Sequence, residues 1–177
     1  RKESSAASDV YKRQVVALSL TLSACQSLSP LTVPDIEAES QAQIAVQSGD
    51  FSSAAQQYET LAESSGGTHR SRLYVQAASA YWQLGQIEQA RLTLAKIDRE
   101  QLTPILSFDV AILEANIAIK ELNSSQALAL LAPFRADQLT ARQQRTLYRT
   151  RIQAYQISEN WLEMANSHIQ LDSLLPD

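Results

Sequence analysis

Apolar and small residues recur along most of the chain at the three- and four-residue spacing of amphipathic helices. This pattern begins near Asp35, and no segment alternates at period two for long enough to form a strand. Breaks fall at glycines, at polar capping residues and at Pro133, so the helices are expected in pairs. We predict four pairs, at about residues 35–48 with 51–64, 69–84 with 87–97, 104–121 with 124–133, and 140–157 with 160–174.

The turn inside each predicted pair repeats along the chain. The four turn positions are Gly49, Gly85, Leu122 and Glu159, spaced 36 or 37 residues apart, and a polar residue follows each of them. Glycine ends a helix at low cost because it readily adopts a positive φ. A recurring unit of helix, turn and helix is therefore predicted.

A small residue lies near the start of most second helices, where two helices must approach closely. It is Ala54, Ala90 or Ala127 in the first three pairs, whereas the fourth pair has Met164. This frame resembles the tetratricopeptide repeat (TPR), whose period is about 34 residues. The resemblance implies an all-α, TPR-like helical solenoid of about four pairs over residues 35–177, with first helices lining a concave surface. Because pairs three and four lack the turn glycine, we expect them to be splayed or irregular.

The N-terminal segment carries a different pattern. An uncharged apolar run over residues 15–22 is too short to span a bilayer, which takes about 20 residues, but it suits a secretory signal. The sequence Leu-Ser-Ala-Cys at residues 22–25 resembles the lipobox of bacterial lipoproteins. We therefore predict a signal segment over residues 15–25, lipidation of Cys25 and membrane anchoring. Gln26, in place of an aspartate, favours the periplasmic face of the outer membrane under the Gram-negative sorting rule.

Two short segments flank this signal. Residues 26–34 are polar and contain Pro30 and Pro34, which predicts an extended tether between the lipid anchor and the helices. Residues 1–14 lack an initiator methionine, and residues 9–14 resemble the translation of an adapter used in sequencing libraries. We interpret residues 1–14 as an artefact and leave them out of the fold prediction.

Composition and charge argue against several classes of function. The net charge of −4 argues against nucleic-acid binding, and one cysteine with two distant histidines suggests neither a disulfide framework nor a metal site. No catalytic set is apparent in the sequence, so we expect no enzyme activity and no cofactor. Trp82, Trp161 and His168 fall at packing positions and are expected in the core, whereas His69 is expected to be exposed.

Charge is distributed unevenly along the helices. No lysine or arginine occurs in the first predicted pair, whereas residues 135–151 carry five arginines. Three of these, Arg142, Arg145 and Arg149, form one stripe at the spacing i, i+3, i+7 of a helix face. The stripe is a candidate partner-binding surface for an acidic protein or a glycan, and a solvated helix edge is the alternative.

The chain also resembles a specific family. Six segments are similar to the N-terminal helical domain of the LpoA lipoproteins: residues 90–98, 102–104, 111–118, 151–155, 161–165 and 171–175. In that family the helical domain precedes a periplasmic-binding-protein-like domain, and the protein activates a class A penicillin-binding protein, a peptidoglycan synthase. The resemblance implies a non-catalytic outer-membrane lipoprotein that regulates peptidoglycan synthesis with this synthase as its partner. It carries over no site residue except the lipidated Cys25.

Two other readings stay open at this point. Residues 34–39 and 49–51 also resemble the start of the TPR scaffold lipoprotein in the outer-membrane β-barrel assembly machinery. That resemblance implies a structural role in a different assembly. An enzyme built on a helical solenoid, such as a lytic transglycosylase, would need a catalytic domain that this sequence does not provide.

Overall fold

The structure, a computed structural model, describes residues 33–174, with side chains from residue 35 onward. Residues 1–14, the predicted signal with Cys25 and most of the predicted tether lie outside this range. The described part of the chain contains eight α-helices and no strand, which confirms the all-α prediction. None of these helices combines the length and the apolar character needed to cross a membrane.

The helices form four pairs with bounds close to those predicted. They are α1 (Val33–Gln47) with α2 (Phe51–Ser64), α3 (Gly67–Gln83) with α4 (Ile87–Ala95), α5 (Pro104–Lys120) with α6 (Ser124–Leu131), and α7 (Ala141–Ile157) with α8 (Trp161–Asp172). Short 3-10 turns, Arg99–Gln101 and Ala136–Gln138, lie in two of the connections. Helix α1 begins two residues earlier than expected, and Pro34 lies in its first turn, where a missing N–H breaks no helical hydrogen bond.

Polar side chains cap most of the helices. The side chain of each N-cap accepts a hydrogen bond from the backbone N–H three residues later at Asp50, Thr103, Asn123, Thr140 and Asn160. At the start of α7, the Gln143 side chain also returns to the Thr140 backbone, which completes a capping box. Short polar residues, Thr103 and Thr140, therefore fix where α5 and α7 begin.

All four turns within the pairs share one conformation, including the two that lack glycine. The φ values of Gly49, Gly85, Leu122 and Glu159 are 81°, 71°, 57° and 54°. In each turn the following residue donates its backbone N–H to the carbonyl five residues back, at 2.8 to 3.0 Å, as in a Schellman motif. The expected irregularity of pairs three and four is therefore wrong for their turns. The same hydrogen bonds hold a non-glycine residue in the left-handed region.

Because of this strain, two opposite substitutions at these turns are expected to change the free energy of unfolding in opposite directions. Leu122→Gly is expected to raise the free energy of unfolding by about 1 kcal/mol. A left-handed conformation costs a non-glycine residue roughly 1–2 kcal/mol, which the glycine avoids. Part of this gain is lost because glycine gives up more conformational freedom on folding. Leu122 is 74% exposed, so the change removes little buried surface. The reverse change, Gly85→Leu, meets no atom within 4 Å of the new Cβ and is expected to destabilise by a similar amount. Urea denaturation measures both, and a shift of the same sign in the two variants would contradict the shared turn.

Two clusters of buried side chains hold the stack together. The first joins α1 to α5 and includes Leu73, Leu94 and Val110. The second joins α5, α6 and α7 and includes Phe108 and Leu147. Helix α5 contributes to both clusters because it is buried on two faces. The small residues predicted for close helix packing, Ala54, Ala90 and Ala127, are each 0% exposed, which confirms the frame of the repeat.

Ion pairs and hydrogen bonds connect successive pairs at the surface. The Glu59 carboxylate accepts hydrogen bonds from the Tyr81 hydroxyl at 2.7 Å and from Lys96 Nζ at 2.6 Å, which links pair one to pair two. Burial raises the pKa of Glu59, but hydrogen bonds from Lys96 and Tyr81 outweigh it and leave that pKa below its usual value. Burial and the bond to Glu59 raise the pKa of Tyr81 to about 12. Pair two is linked to pair three by Arg91 with Glu121, and the 3-10 turn between these pairs is tied to pair three by Arg99 with Glu114.

Helix α8 is the least buried of the described helices. Trp161 is 56% exposed and His168 is exposed as well, so the prediction that both lie in the core is wrong. Ser167 is the one buried residue of this helix. Among the described residues α8 packs mainly against α7, and its other faces are open. A packing position in the repeat becomes buried only when a further helix lies against it.

Candidate partner-binding groove

The first helices of pairs two, three and four lie side by side. Helix α3 contacts α5, and α5 contacts α7. A groove with a volume of 670 Å³ runs between these three helices, on the surface that the sequence predicts to be concave. Its size falls within the range of about 300–1,000 Å³ that is usual for binding sites.

The floor of the groove is apolar. Val75, Leu113 and Phe108 line the groove and are themselves buried. Val75 and Leu113 belong to the first core cluster, and Phe108 belongs to the second. Trp82 packs against the first cluster and is half-buried, so its predicted core position is confirmed only in part. Ile105, at 64% exposed, adds a free apolar side chain to the lining. Such a floor favours apolar contacts with an occupant.

Uncharged polar side chains line the walls. Gln76, Ser79 and Gln83 follow one another on α3 at the spacing i, i+3, i+7, and Asn116 lines the groove from α5. The Gln76 Oε1 atom is buried and has no hydrogen-bond partner among the described residues. A buried acceptor without a donor costs about 1–3 kcal/mol in the free protein. Although Gln76 lines the groove, its Oε1 atom has almost no accessible surface and so is not open to an occupant.

The groove also contains one carboxylate, that of Asp109 on α5. Partial burial raises the pKa of Asp109, and the charge of Arg142, which also lines the groove, offsets this only in part. No described residue hydrogen-bonds to this carboxylate or lies within ion-pair distance of it. Asp109 has no direct partner in the described part of the chain, but it is exposed, so water solvates its carboxylate.

The structure separates the three arginines of the predicted stripe. Arg142 is exposed and lines the groove. Arg145 is half-buried and its Nη1 lies 3.5 Å from the Leu174 carbonyl oxygen, beside the end of α8. Arg149 is exposed outside the groove lining. Only Arg142 is thus placed beside the other groove residues, and a role of the three arginines in partner binding stays a prediction.

Asp109 and Gln76 were not singled out from the sequence. Each belongs to a set of three groove-lining residues at the same i, i+3, i+7 spacing as the arginine stripe. One set is Asp109, Ile112 and Asn116 on α5, and the other is Gln76, Ser79 and Gln83 on α3. Comparing polar positions across all the first helices would have pointed to them. An uncharged or mixed stripe is less conspicuous than three arginines, and so it drew no prediction.

The two histidines take different positions from those expected. His69 is half-buried, not exposed, and its Nδ1 lies 2.9 Å from an Arg72 nitrogen. Arg72 donates two hydrogen bonds to Glu39 at 2.5 and 2.9 Å, and these lower the pKa of Glu39 despite its partial burial. This cluster ties α1 to α3. Within the described residues, no group of three or more potential ligands could hold a metal ion.

Comparison with known proteins identifies the family. Residues 49–177 match the model of the family described as LppC putative lipoprotein. No curated protein sequence matches the chain significantly. Two solved structures of LpoA from Haemophilus influenzae are similar: a monoclinic form with two molecules per asymmetric unit, and monoclinic form 1 of the full-length protein. Each is 18% identical to this chain and has a TM-score of 0.54.

The extent of these matches defines what they establish. The alignment with LpoA covers 70% of this chain but only 22% of the LpoA chain, so this chain spans a small part of the protein that it resembles. At that identity the likeness establishes the fold of the helical stack. The family match extends over more than half of the sequence, from the first turn onward. The chain therefore belongs to the LppC family of putative lipoproteins, and its helical stack is LpoA-like.

Proposed function

We propose that this chain is part of a non-catalytic lipoprotein that activates a class A penicillin-binding protein and so regulates peptidoglycan synthesis. The family match over residues 49–177 is the observation that carries the proposal. The LpoA-like fold supports it, because a stack of helix pairs with a groove is suited to protein contacts.

The proposed location is the periplasmic face of the outer membrane, with Cys25 as the lipidated residue. The lipobox-like sequence at residues 22–25 and the following Gln26 support this location. Residues 26–32 precede α1 and reach at most about 25 Å, at ~3.5 Å per residue. The helical stack would therefore work within a short distance of the membrane that holds it.

The family match favours this function over a scaffold of the β-barrel assembly machinery. That alternative depended on residues 34–39, within α1, and on residues 49–51, at the first turn. The same turn conformation and hydrogen bonding recur at Gly85, Leu122 and Glu159. The likeness at residues 49–51 therefore reflects repeat geometry and does not discriminate between two proteins built from such repeats.

The experiment measures glycan-strand synthesis by a purified class A synthase from the same organism, with and without the full-length lipoprotein. We expect the rate to rise several-fold at micromolar protein, and the lipoprotein to capture the synthase from solubilised membranes. An unrelated TPR protein of similar size serves as the control for nonspecific effects. Capture of β-barrel assembly proteins, with no change in synthase rate, would contradict the proposal and support the scaffold.

A further inference from the structure

All but two of the residues that line the groove are uncharged. The two exceptions, Asp109 and Arg142, carry opposite charges, and neither forms an ion pair among the described residues. A strongly charged occupant, such as a nucleic acid, a phosphate-rich surface or an acidic peptide, would meet no net charge of opposite sign here. The lining therefore favours an uncharged polar ligand.

The accessible part of the lining is an apolar strip between two polar walls. Helix α5 lies between α3 and α7 and contributes Ile105 and Ile112, which keep part of their apolar surface accessible. The flanking helices contribute polar lining residues, Ser79 and Gln83 on α3, and Gln143 and Thr146 on α7. An occupant lying along α5 would therefore contact apolar groups beneath it and hydrogen-bonding groups on either side.

Several of the polar side chains are open to an occupant. Ser79 and Gln83 are exposed and Asn116 is half-buried, and none of these side chains hydrogen-bonds to another described residue. Their polar atoms are accessible, unlike the Oε1 atom of Gln76. Amide and hydroxyl groups can each donate and accept hydrogen bonds, and water satisfies them in the free protein. A ligand that displaces this water without loss must therefore carry hydroxyl or amide groups of its own.

We propose that the groove binds a glycan strand of N-acetylated sugars. A sugar ring has apolar C–H faces and a rim of hydroxyl groups, which match an apolar strip flanked by amides and hydroxyls. The acetamido group adds an amide, which pairs with the side chain of Gln83 or Asn116. It also adds a methyl group, which packs against Trp82, a half-buried aromatic residue of the lining. No family match or structural neighbour assigns this groove a ligand.

An extended peptide fits this lining less well than a glycan does. Grooves that select peptides read their side chains through charge or through large apolar pockets. The lining has one residue of each charge, and the Phe108 ring at its floor is almost fully buried. A neutral glycan needs neither feature, because it is recognised through uncharged hydrogen-bonding groups and through an apolar surface for its rings.

This inference deepens the proposed function and in one respect rests on it, since N-acetylated glycan strands are what a peptidoglycan synthase makes. A regulator that holds the growing strand would stay close to the synthase that it activates. The two ideas can fail separately, because glycan binding is measured on this chain alone and stimulation is measured on the synthase. Glycan binding without stimulation would remove the proposed function and leave this inference in place.

The test follows the fluorescence of Trp82. The chain has two tryptophans, and the other, Trp161, is exposed on α8 outside the groove lining, so Trp161→Phe leaves a single indole at the groove. This 177-residue variant, in mild detergent, is titrated with chitotetraose and with cellotetraose, which lacks the acetamido groups. We expect chitotetraose to change the emission saturably and to bind about tenfold more tightly than cellotetraose, as for one or two added hydrogen bonds. The affinity should not change as salt is added, because the ligand is uncharged.

Further variants assign the binding to the groove. Gln83→Leu removes the amide and is expected to weaken chitotetraose binding about fivefold. It should leave the thermal midpoint unchanged, since Gln83 is exposed and makes no hydrogen bond with another described residue. Gln89→Leu, on α4 and also exposed, lies outside the groove lining and is the matched control that keeps full affinity. A purely structural role of Gln83 would lower the midpoint and leave the affinity of the folded chain unchanged.

The outcomes decide between the alternatives. Absence of saturable binding by chitotetraose, equal affinity for cellotetraose, or unchanged affinity in Gln83→Leu would each overturn the proposal. A pool of hexapeptides with blocked ends and random sequence provides the remaining arm. If the pool binds more tightly than chitotetraose and displaces it, the groove is a peptide site and the glycan proposal is wrong.

Discussion

Replacement of Leu147 by alanine is expected to lower the free energy of unfolding by about 2–5 kcal/mol. Leu147 lies on α7, is 0% exposed and belongs to the second core cluster with Phe108 and Leu131. Truncation removes apolar contacts and leaves a cavity that neighbouring side chains fill only in part. Urea denaturation followed by circular dichroism measures the change.

The matched control is Leu162→Ala on α8, where the same atoms are removed from a side chain that is 70% exposed. That variant is expected to stay within about 0.5 kcal/mol of the original chain. Equal effects at the two positions would mean that the second cluster does not hold pairs three and four together. Because each pair contacts only its neighbours, the Leu147 variant should also lose cooperativity, with pair four unfolding at lower urea than pairs one and two.

The features that the sequence predicted well are those determined by a few adjacent residues. Helix starts follow from short polar caps such as Thr103 before Pro104, which the structure places at the N-cap and first turn of α5. The turn at Leu122 was located without a glycine because the spacing of the repeat, and not the residue type, marked its position. The expected irregularity there was wrong because a shared hydrogen-bond pattern outweighs the strain of one residue.

Burial was harder to predict, because in a stack of helix pairs it depends on neighbours along the chain. Trp82 and Trp161 were given the same expected environment from helical spacing. Trp82 is half-buried because α3 lies between other helices, whereas Trp161 is 56% exposed on α8, which packs mainly against α7. A pattern within one helix shows which face is apolar, but it does not show what lies against that face.

The groove shows the same limit at a functional surface. Asp109 and Gln76 lie on separate helices, and only the packing of α3 against α5 places both along one groove. The arginine stripe on α7 was visible in the sequence because its three members share one helix. The packing then separated them, since Arg145 lies beside the end of α8 and only Arg142 reaches the groove. Charge on one helix is therefore a weaker guide to a site than side chains that several helices bring together.

Replacement of Cys25 by serine is expected to abolish lipid attachment and to release the protein from the membrane fraction. The thiol is the proposed acceptor of the lipid, and Cys25 is the only cysteine in the sequence, so no other thiol can take its place. Several acyl chains on one residue anchor a protein firmly. The measurement is incorporation of labelled palmitate, combined with separation of inner and outer membranes.

Ser27→Ala, two residues further on, is the matched control and should keep full labelling. The labelled protein should fractionate with outer membranes, and Gln26→Asp should move it to the inner membrane if the sorting rule applies to this chain. Equal labelling of the original chain and the Cys25 variant would contradict lipid attachment at this residue. Because at most about 25 Å of chain separates Cys25 from α1, loss of the anchor should also uncouple the stack from its membrane. Full activity of the released protein in cells would show that the short tether does not set the working distance.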